Sequence, residues 1–162
     1  MTRYQELINQ LEIHNAEHAE YLKEELDIII HKLKFLDRAN FPKTLIVDQE
    51  KRFSPVYTDI LAEKIKIAGG QLVEDLSQGV DIILVLQQND TLYSELPQWL
   101  HSEELISTQA IKQDKVFILQ QSSFNISDES YLADVEILAE IQQSKYFFYG
   151  RDGQDWAKFS IS

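Results

Sequence analysis

The 162-residue chain contains no cysteine, which excludes disulfides, thiolate metal sites, iron–sulfur clusters and lipidation of a cysteine. Glycine is scarce too, with five in all, and they stand at expected helix ends and turns rather than in a phosphate-cradling loop. The loop DQEKRFSP after the first expected strand has none, so a dinucleotide turn has no anchor there. No serine sits in a G-x-S-x-G elbow, so acyl transfer lacks its nucleophile. No apolar run reaches the length of a membrane span, and the first residues, Met1 to Glu6, have no signal-peptide core. A cytoplasmic protein with no membrane insertion is the expectation, periplasmic only if a leader has been removed.

Positive charge is the other shortage. Fifteen Lys and Arg face 27 Asp and Glu, a net charge of −12, and no basic run is dense enough to track phosphates. Nucleic acid is therefore a poor partner.

What is present is a long amphipathic stretch followed by alternating strand and helix patterns. Apolar residues recur at Tyr4, Ile8, Leu11, Leu22, Leu26, Ile29, Leu33 and Leu36, in steps of three and four apart from one interruption around Asn15 and His18. A continuous helix over this stretch would reach about 50 Å, longer than a small domain. Residues 1–40 are thus expected to be a projecting backbone or interface helix whose seam meets a partner protein or a second copy in a homodimer. Residues 41–162 are expected to form a single α/β lobe.

Within the lobe, Phe41-Pro42 ends the helix, and Thr44 to Val47 reads as a buried parallel strand. Ser54-Pro55 reads as a helix start, with that helix closing at Gly69-Gly70. Gln71 to Val73, Val80 to Leu86 and Lys115 to Leu119 read as further strands, with helices around Leu92 to Leu105 and from Tyr131 to about Gln143. Tyr146 to Tyr149 and Trp156 to Ile161, on either side of Gly150 to Gly153, suggest an aromatic C-terminal hairpin. The fold class is α/β, a three-layer, mainly parallel, Rossmann-like sheet.

Ligands of open α/β sheets bind beyond the carboxyl ends of the strands. That rule nominates Lys51, Arg52, Phe53 and Tyr57 in the first loop, Gln88 and Asn89 in the second, and Gln121, Ser123, Phe124 and Asn125 in the third. Their amide, hydroxyl and aromatic chemistry suits contact with a large ligand better than catalysis. His14, Glu17 and His18 fit H-x-x-E-H, in which two histidines on one helix face hold zinc. A hydrolase would need a third ligand and a cavity, so the readings for His14 and His18 are solvated histidines, incidental metal binding, or a metal-dependent hydrolase. A phosphorylatable receiver domain is excluded, because Gln49 follows Asp48 and Leu86 stands where the phosphoacceptor would be.

From about Leu22 to Gly150 the chain resembles the second half of class III periplasmic binding proteins, the helical-backbone receptors for cobalamin, haem and iron–siderophore complexes. The segments that carry the resemblance are KTLIVD, IAGGQLVED, VDIILV, AIKQDKVFILQ and SYLADVEILAEI, in that order. The resemblance implies a non-catalytic, substrate-binding half domain related to ABC transporters. It also implies a corrinoid, haem or iron–siderophore ligand, held across a dimer whose two copies replace the two lobes. The alternative is an interaction module that has lost its ligand. Lys66 stands three residues before the Gly pair, where family members that dock through this lobe carry glutamate, which argues against docking on an ABC permease.

Overall fold

The aliphatic runs become one mixed sheet because every one of them is buried on both faces. The computed structural model describes residues 2–160. Its six strands are β1 (Lys43–Asp48), β2 (Ser54–Pro55), β3 (Gln71–Leu72), β4 (Ile82–Leu86), β5 (Val116–Leu119) and β6 (Trp156–Phe159). β1, β4 and β5 run parallel, with Ile46 beside Leu84 and Leu84 beside Phe117. β6 closes one edge antiparallel to β5. On the other edge β1 pairs β3 in parallel at its start and β2 antiparallel at its end.

The helices are α1 (Arg3–His14), α2 (Ala16–Leu33), α3 (Asp59–Ile67), α4 (Leu92–Leu100), the short α5 (Glu103–Ile106) and α6 (Gln109–Lys112), and α7 (Tyr131–Gln142). Strand alternation sorts the core into two halves. Ile46, Leu84 and Leu119 face α3 and α7, whereas Leu45, Val47, Ile83, Val85, Val116 and Ile118 face α4 to α6. This is the expected three-layer α/β lobe.

The N-terminal stretch departs from expectation. It is two helices and not one, broken at Asn15, whose extended backbone (φ −157°) ends α1 while its side chain accepts from His18 N at 3.1 Å to cap α2. Between Leu11 and Ala19 nothing is buried, Ile13 included at 79% exposure, so a capping Asn wins over helix continuation. α2 alone spans about 27 Å. α1 folds back along it, so that Thr2, Tyr4 and Gln5 share a groove with Ile30, Leu33 and Lys34. The hairpin lies over α3 and α7 as an outer layer. Its seam residues Leu7, Ile8, Leu22, Leu26, Ile29 and Leu33 belong to the same core as Leu61, Ile65, Ile137 and Ile141. The seam expected to meet a partner is filled by the chain itself.

Two further expectations are corrected. Ser54-Pro55 does not start a helix. It is an edge strand, where a proline without an N–H is tolerated, and α3 begins at Asp59, capped by Thr58 Oγ1, which accepts from Leu61 N at 3.1 Å. The C-terminal hairpin is also absent from the described residues, which exclude Ile161. Tyr146 to Tyr149 wraps the end of α7, while β6 takes the open edge of β5. Glu140 of α7 holds this wrap, accepting from Tyr149 N, from Arg151 N at 3.2 Å and from Trp156 Nε1 at 2.7 Å.

Gly69-Gly70 is required by packing. Gly69 has φ +86°, and a Cβ on Gly70 would strike the Gln142 side chain. Gln142 cannot yield cheaply, because it accepts from Thr44 Oγ1 at 2.8 Å and donates to the Ile65 and Ala68 carbonyls, both at 3.2 Å.

Leu26 is fully buried under the hairpin. Leu26→Ala is therefore expected to lower stability by about 2–5 kcal/mol in urea unfolding followed by circular dichroism. A projecting seam would lose less than about 1 kcal/mol.

Candidate functional site

The carboxyl ends of β1, β4 and β5 carry the three nominated loops, and the first two are locked together by a residue the sequence did not single out. Gln49, buried directly after β1, accepts from Gln88 N at 2.7 Å and Asn89 N at 3.0 Å through Oε1. Its Nε2 donates toward Asn89 Oδ1 at 2.8 Å, Thr91 Oγ1 at 3.2 Å and Glu95 Oε2 at 3.3 Å. Gln88 Nε2 in turn donates to Asp48 Oδ1 at 3.0 Å. The structure brings the side chains of Gln88 and Asn89 together with the first loop, where they are engaged within the chain. Nothing in the pattern DQE marks Gln49 as more than a polar loop residue.

Past Gln49 the backbone takes two consecutive left-handed residues, Arg52 at φ 56° and Phe53 at φ 60°. Neither is glycine, so each costs about 1–2 kcal/mol that the surroundings must offset. Phe53 N donates to Asp48 O at 2.8 Å, and the Phe53 ring stacks on Trp99 at 5.0 Å between centroids. This turns Phe53 toward α4 and away from the loop face, against its expected role in ligand contact. It also lifts Lys51 and Arg52 to the exposed tip, with Tyr57 exposed beyond them.

The third loop is pinned from below. Gln121 N and Nε2 donate to Asp155 O at 3.1 Å and Asp155 Oδ1 at 3.0 Å. Phe124 is buried in the core and does not reach the loop face, which corrects its nomination. An aromatic in a loop is as good a core plug as a contact residue, and sequence alone does not separate the two. Asn125 accepts from Lys64 Nζ at 3.1 Å, and its backbone N donates to Asp134 Oδ2 at 2.9 Å. Lys64 and Asp134 form an ion pair at 2.8 Å with side chains 3% and 0% exposed. Ser130 Oγ donates to the same Asp134 oxygen at 3.2 Å. Burial raises the Asp134 carboxyl above its ordinary value, against the pull of Lys64 and of the hydrogen bonds from Asn125 and Ser130. Ser123 remains exposed.

The assembled face is polar and held by hydrogen bonds within the chain. Four grooves of about 500 to 810 Å³ occur elsewhere, between the hairpin and α3 or α7, at the amino ends of the strands, and beside Phe53 and Trp99. Of the ten nominated loop residues only Phe53 lines one of them. The H-x-x-E-H spacing fails for a physical reason, since His14 ends α1 and His18 lies in the first turn of α2, across the Asn15 break. Among the described residues no group of three or more His, Asp or Glu is placed to hold a metal ion, and no helix is long and apolar enough to cross a membrane.

The fold is similar to that of part of several ABC-transporter solute-binding proteins. A substrate-binding protein from Listeria monocytogenes matches 87% of this chain with 63% of its own, at TM-score 0.65 and 15% identity. The Staphylococcus aureus IsdE complexed with heme matches 85% of this chain with 63% of its own, at 0.60 and 19%. The Haemophilus influenzae molybdate periplasmic binding protein MolA, bound to molybdate, matches 88% with 51%, at 0.63 and 14%. The chain therefore spans about half to 63% of the length of these proteins, and at such identities the likeness is one of fold. No known family profile matches the sequence, and no curated protein does.

Lys64→Met would leave Asp134 buried and unpaired. It is expected to cost about 3–5 kcal/mol at pH 7, read by urea unfolding against the unaltered chain. Because the folded-state value of Asp134 lies above the unfolded 3.8, its contribution to stability is fully present below that pH and is lost as pH rises through the folded value. Removing Lys64 raises that value further, so the gap between the two proteins should narrow toward pH 4. A gap that widens on acidification contradicts the pairing.

Proposed function

We propose that the chain is a non-catalytic solute-binding lobe that offers its loop face to a bulky chelate ligand, a corrinoid, haem or an iron–siderophore complex. A second lobe-like surface completes the site. The observation that carries this reading is the loop face itself. It stands at the carboxyl ends of three parallel strands, in a fold shared with binding proteins that hold haem and molybdate, and it lifts Lys51 and Arg52 on a left-handed turn. Two exposed cations, with Tyr57 and Ser123 also exposed on the loops, suit a large ligand carrying carboxylate, phosphate or catecholate groups. A single face needs an opposing surface to bury such a ligand, and a lobe that spans about half of its neighbours' length supplies only one side.

The second reading is an interaction module that has kept the lobe without a ligand. It is favoured by the side chains of Gln88, Asn89, Gln121 and Asn125, whose hydrogen bonds are made inside the chain. The cytoplasmic placement expected from the first residues has no counterpart among the structural neighbours, several of which are periplasmic binding proteins.

The two readings separate in calorimetric and absorbance titrations with haem, cyanocobalamin and a ferric catecholate siderophore. The ligand reading expects saturable binding of one of them, weakened about tenfold or more in Lys51→Gln/Arg52→Gln. Absence of heat and of spectral change with all three overturns it in favour of the interaction module.

A further inference from the structure

An exposed flank of α2 carries a second apolar stripe that the lobe does not use. Tyr21, Ile28 and Phe35 recur at intervals of seven residues and are 53%, 48% and 78% exposed. Seven residues are two helical turns, so the three side chains lie in one line. That line lies on one flank of the buried row Leu22, Leu26, Ile29 and Leu33, and its Tyr21 end lines the groove with Asp128, Leu132, Glu136 and Arg151. Lys34, which follows α2, keeps helical dihedrals (φ −57°, ψ −31°), so Phe35 continues the same line. The stripe runs about 21 Å.

Its flanks are charged in a particular order. Glu24 and Glu25 precede Ile28, and His31 and Lys32 follow it, all but the half-buried Glu25 exposed. A parallel pairing of two such helices brings opposite flanks together, setting Glu25 of one copy against Glu24 of the other and Lys32 against His31. An antiparallel pairing with its two-fold axis at Ile28 does the reverse. It sets Ile28 on Ile28, Tyr21 beside Phe35 of the second copy, Glu25 against Lys32 on one flank and Glu24 against His31 on the other. A surface complementary to itself under a two-fold rotation is what an isologous dimer requires. Tyr146 and Phe148, 46% and 86% exposed, widen the apolar area at the Phe35 end. They are held there because Lys32 Nζ donates to Tyr146 O at 3.4 Å and lies 5.2 Å from the Phe147 ring.

We propose that the exposed flank of α2 is a homodimer interface, with two copies pairing antiparallel about Ile28 through Tyr21, Phe35 and the Glu25–Lys32 cross-pairs. The occupant is a second copy because the charge order matches itself. The pairing uses the flank of α2 beside the C-terminal wrap, and the dimer is tested without any ligand.

The test is sedimentation equilibrium of the full chain from about 1 to about 200 µM, with circular dichroism as the control for folding. The unaltered chain is expected to dimerise with a dissociation constant on the order of 10 µM, as suits a small interface. Ile28→Glu should weaken this at least tenfold without loss of helix. Glu25→Lys and Lys32→Glu should each weaken it about tenfold, because each sets like charges together twice per dimer. Mixing those two variants should restore dimers, since each supplies the charge the other lacks. A chain that stays monomeric at the highest concentration overturns the proposal. So does a dimer that survives Ile28→Glu, or a mixture of the two charge variants that stays apart.

Discussion

The Glu63 carboxylate decides what the N-terminal third of the chain is. It stands in the middle of α3 and accepts from Tyr4 N at 2.8 Å, Arg3 N at 3.1 Å and Tyr131 Oη at 2.6 Å. Two of those donors belong to the first turn of α1, where backbone N–H groups have no intrahelical acceptor and the helix dipole favours an anion. The third is the phenol of α7, which burial and the Glu63 carboxylate keep protonated by pushing its pKa well up. One side chain thus joins α1, α3 and α7. Arg3 adds an ion pair to Asp128, and the Tyr4 ring stacks on Tyr131 at 6.2 Å.

Everything outward follows from that anchorage. With its start fixed on α3, α1 must turn back along α2, and the Asn15 break permits it. The hairpin then covers the α3–α7 layer that would otherwise face solvent, and the lobe is closed on that side without help from another chain. What remains exposed is one flank of α2 and the loop face. The first is apolar and ordered in charge. The second is polar and stiffened by Gln49 above and the Lys64–Asp134 pair below.

The middle of the fold was legible because burial on both faces leaves a plain signature. VDIILVL, KVFIL and the Tyr131 to Gln143 pattern have one sensible reading each, and Gly69-Gly70 marks a close approach that only glycine permits. The N-terminal hairpin was not legible, because an apolar spacing of three and four describes a sticky face without saying what covers it. Leu22 and Leu26 looked like a partner's seam and are the chain's own core. The signal for the break, a capping Asn in a polar interval, was present but weaker than the absence of Gly and Pro. The three loops do stand at the carboxyl ends of β1, β4 and β5, because the strand-end rule is topological. Lys51, Arg52, Tyr57 and Ser123 are exposed, while Phe53 and Phe124 are packed inward, and the residue that organises the face, Gln49, carries no sequence mark. Its role depends on contacts about 40 positions along the chain, which local pattern does not encode.

The central claim is that α1 is folded back along α2 and not extended from it, and a distance decides it. The chain has no cysteine, so Gln5→Cys and Lys34→Cys can carry spin labels without background. Both positions line one groove in the closed hairpin. Pulsed electron–electron resonance, with labelled chains diluted in unlabelled protein, should then give a distribution below about 20 Å, as adjacent packed helices require. A continuous helix would separate the same positions by about 44 Å, and a distribution centred there contradicts the account.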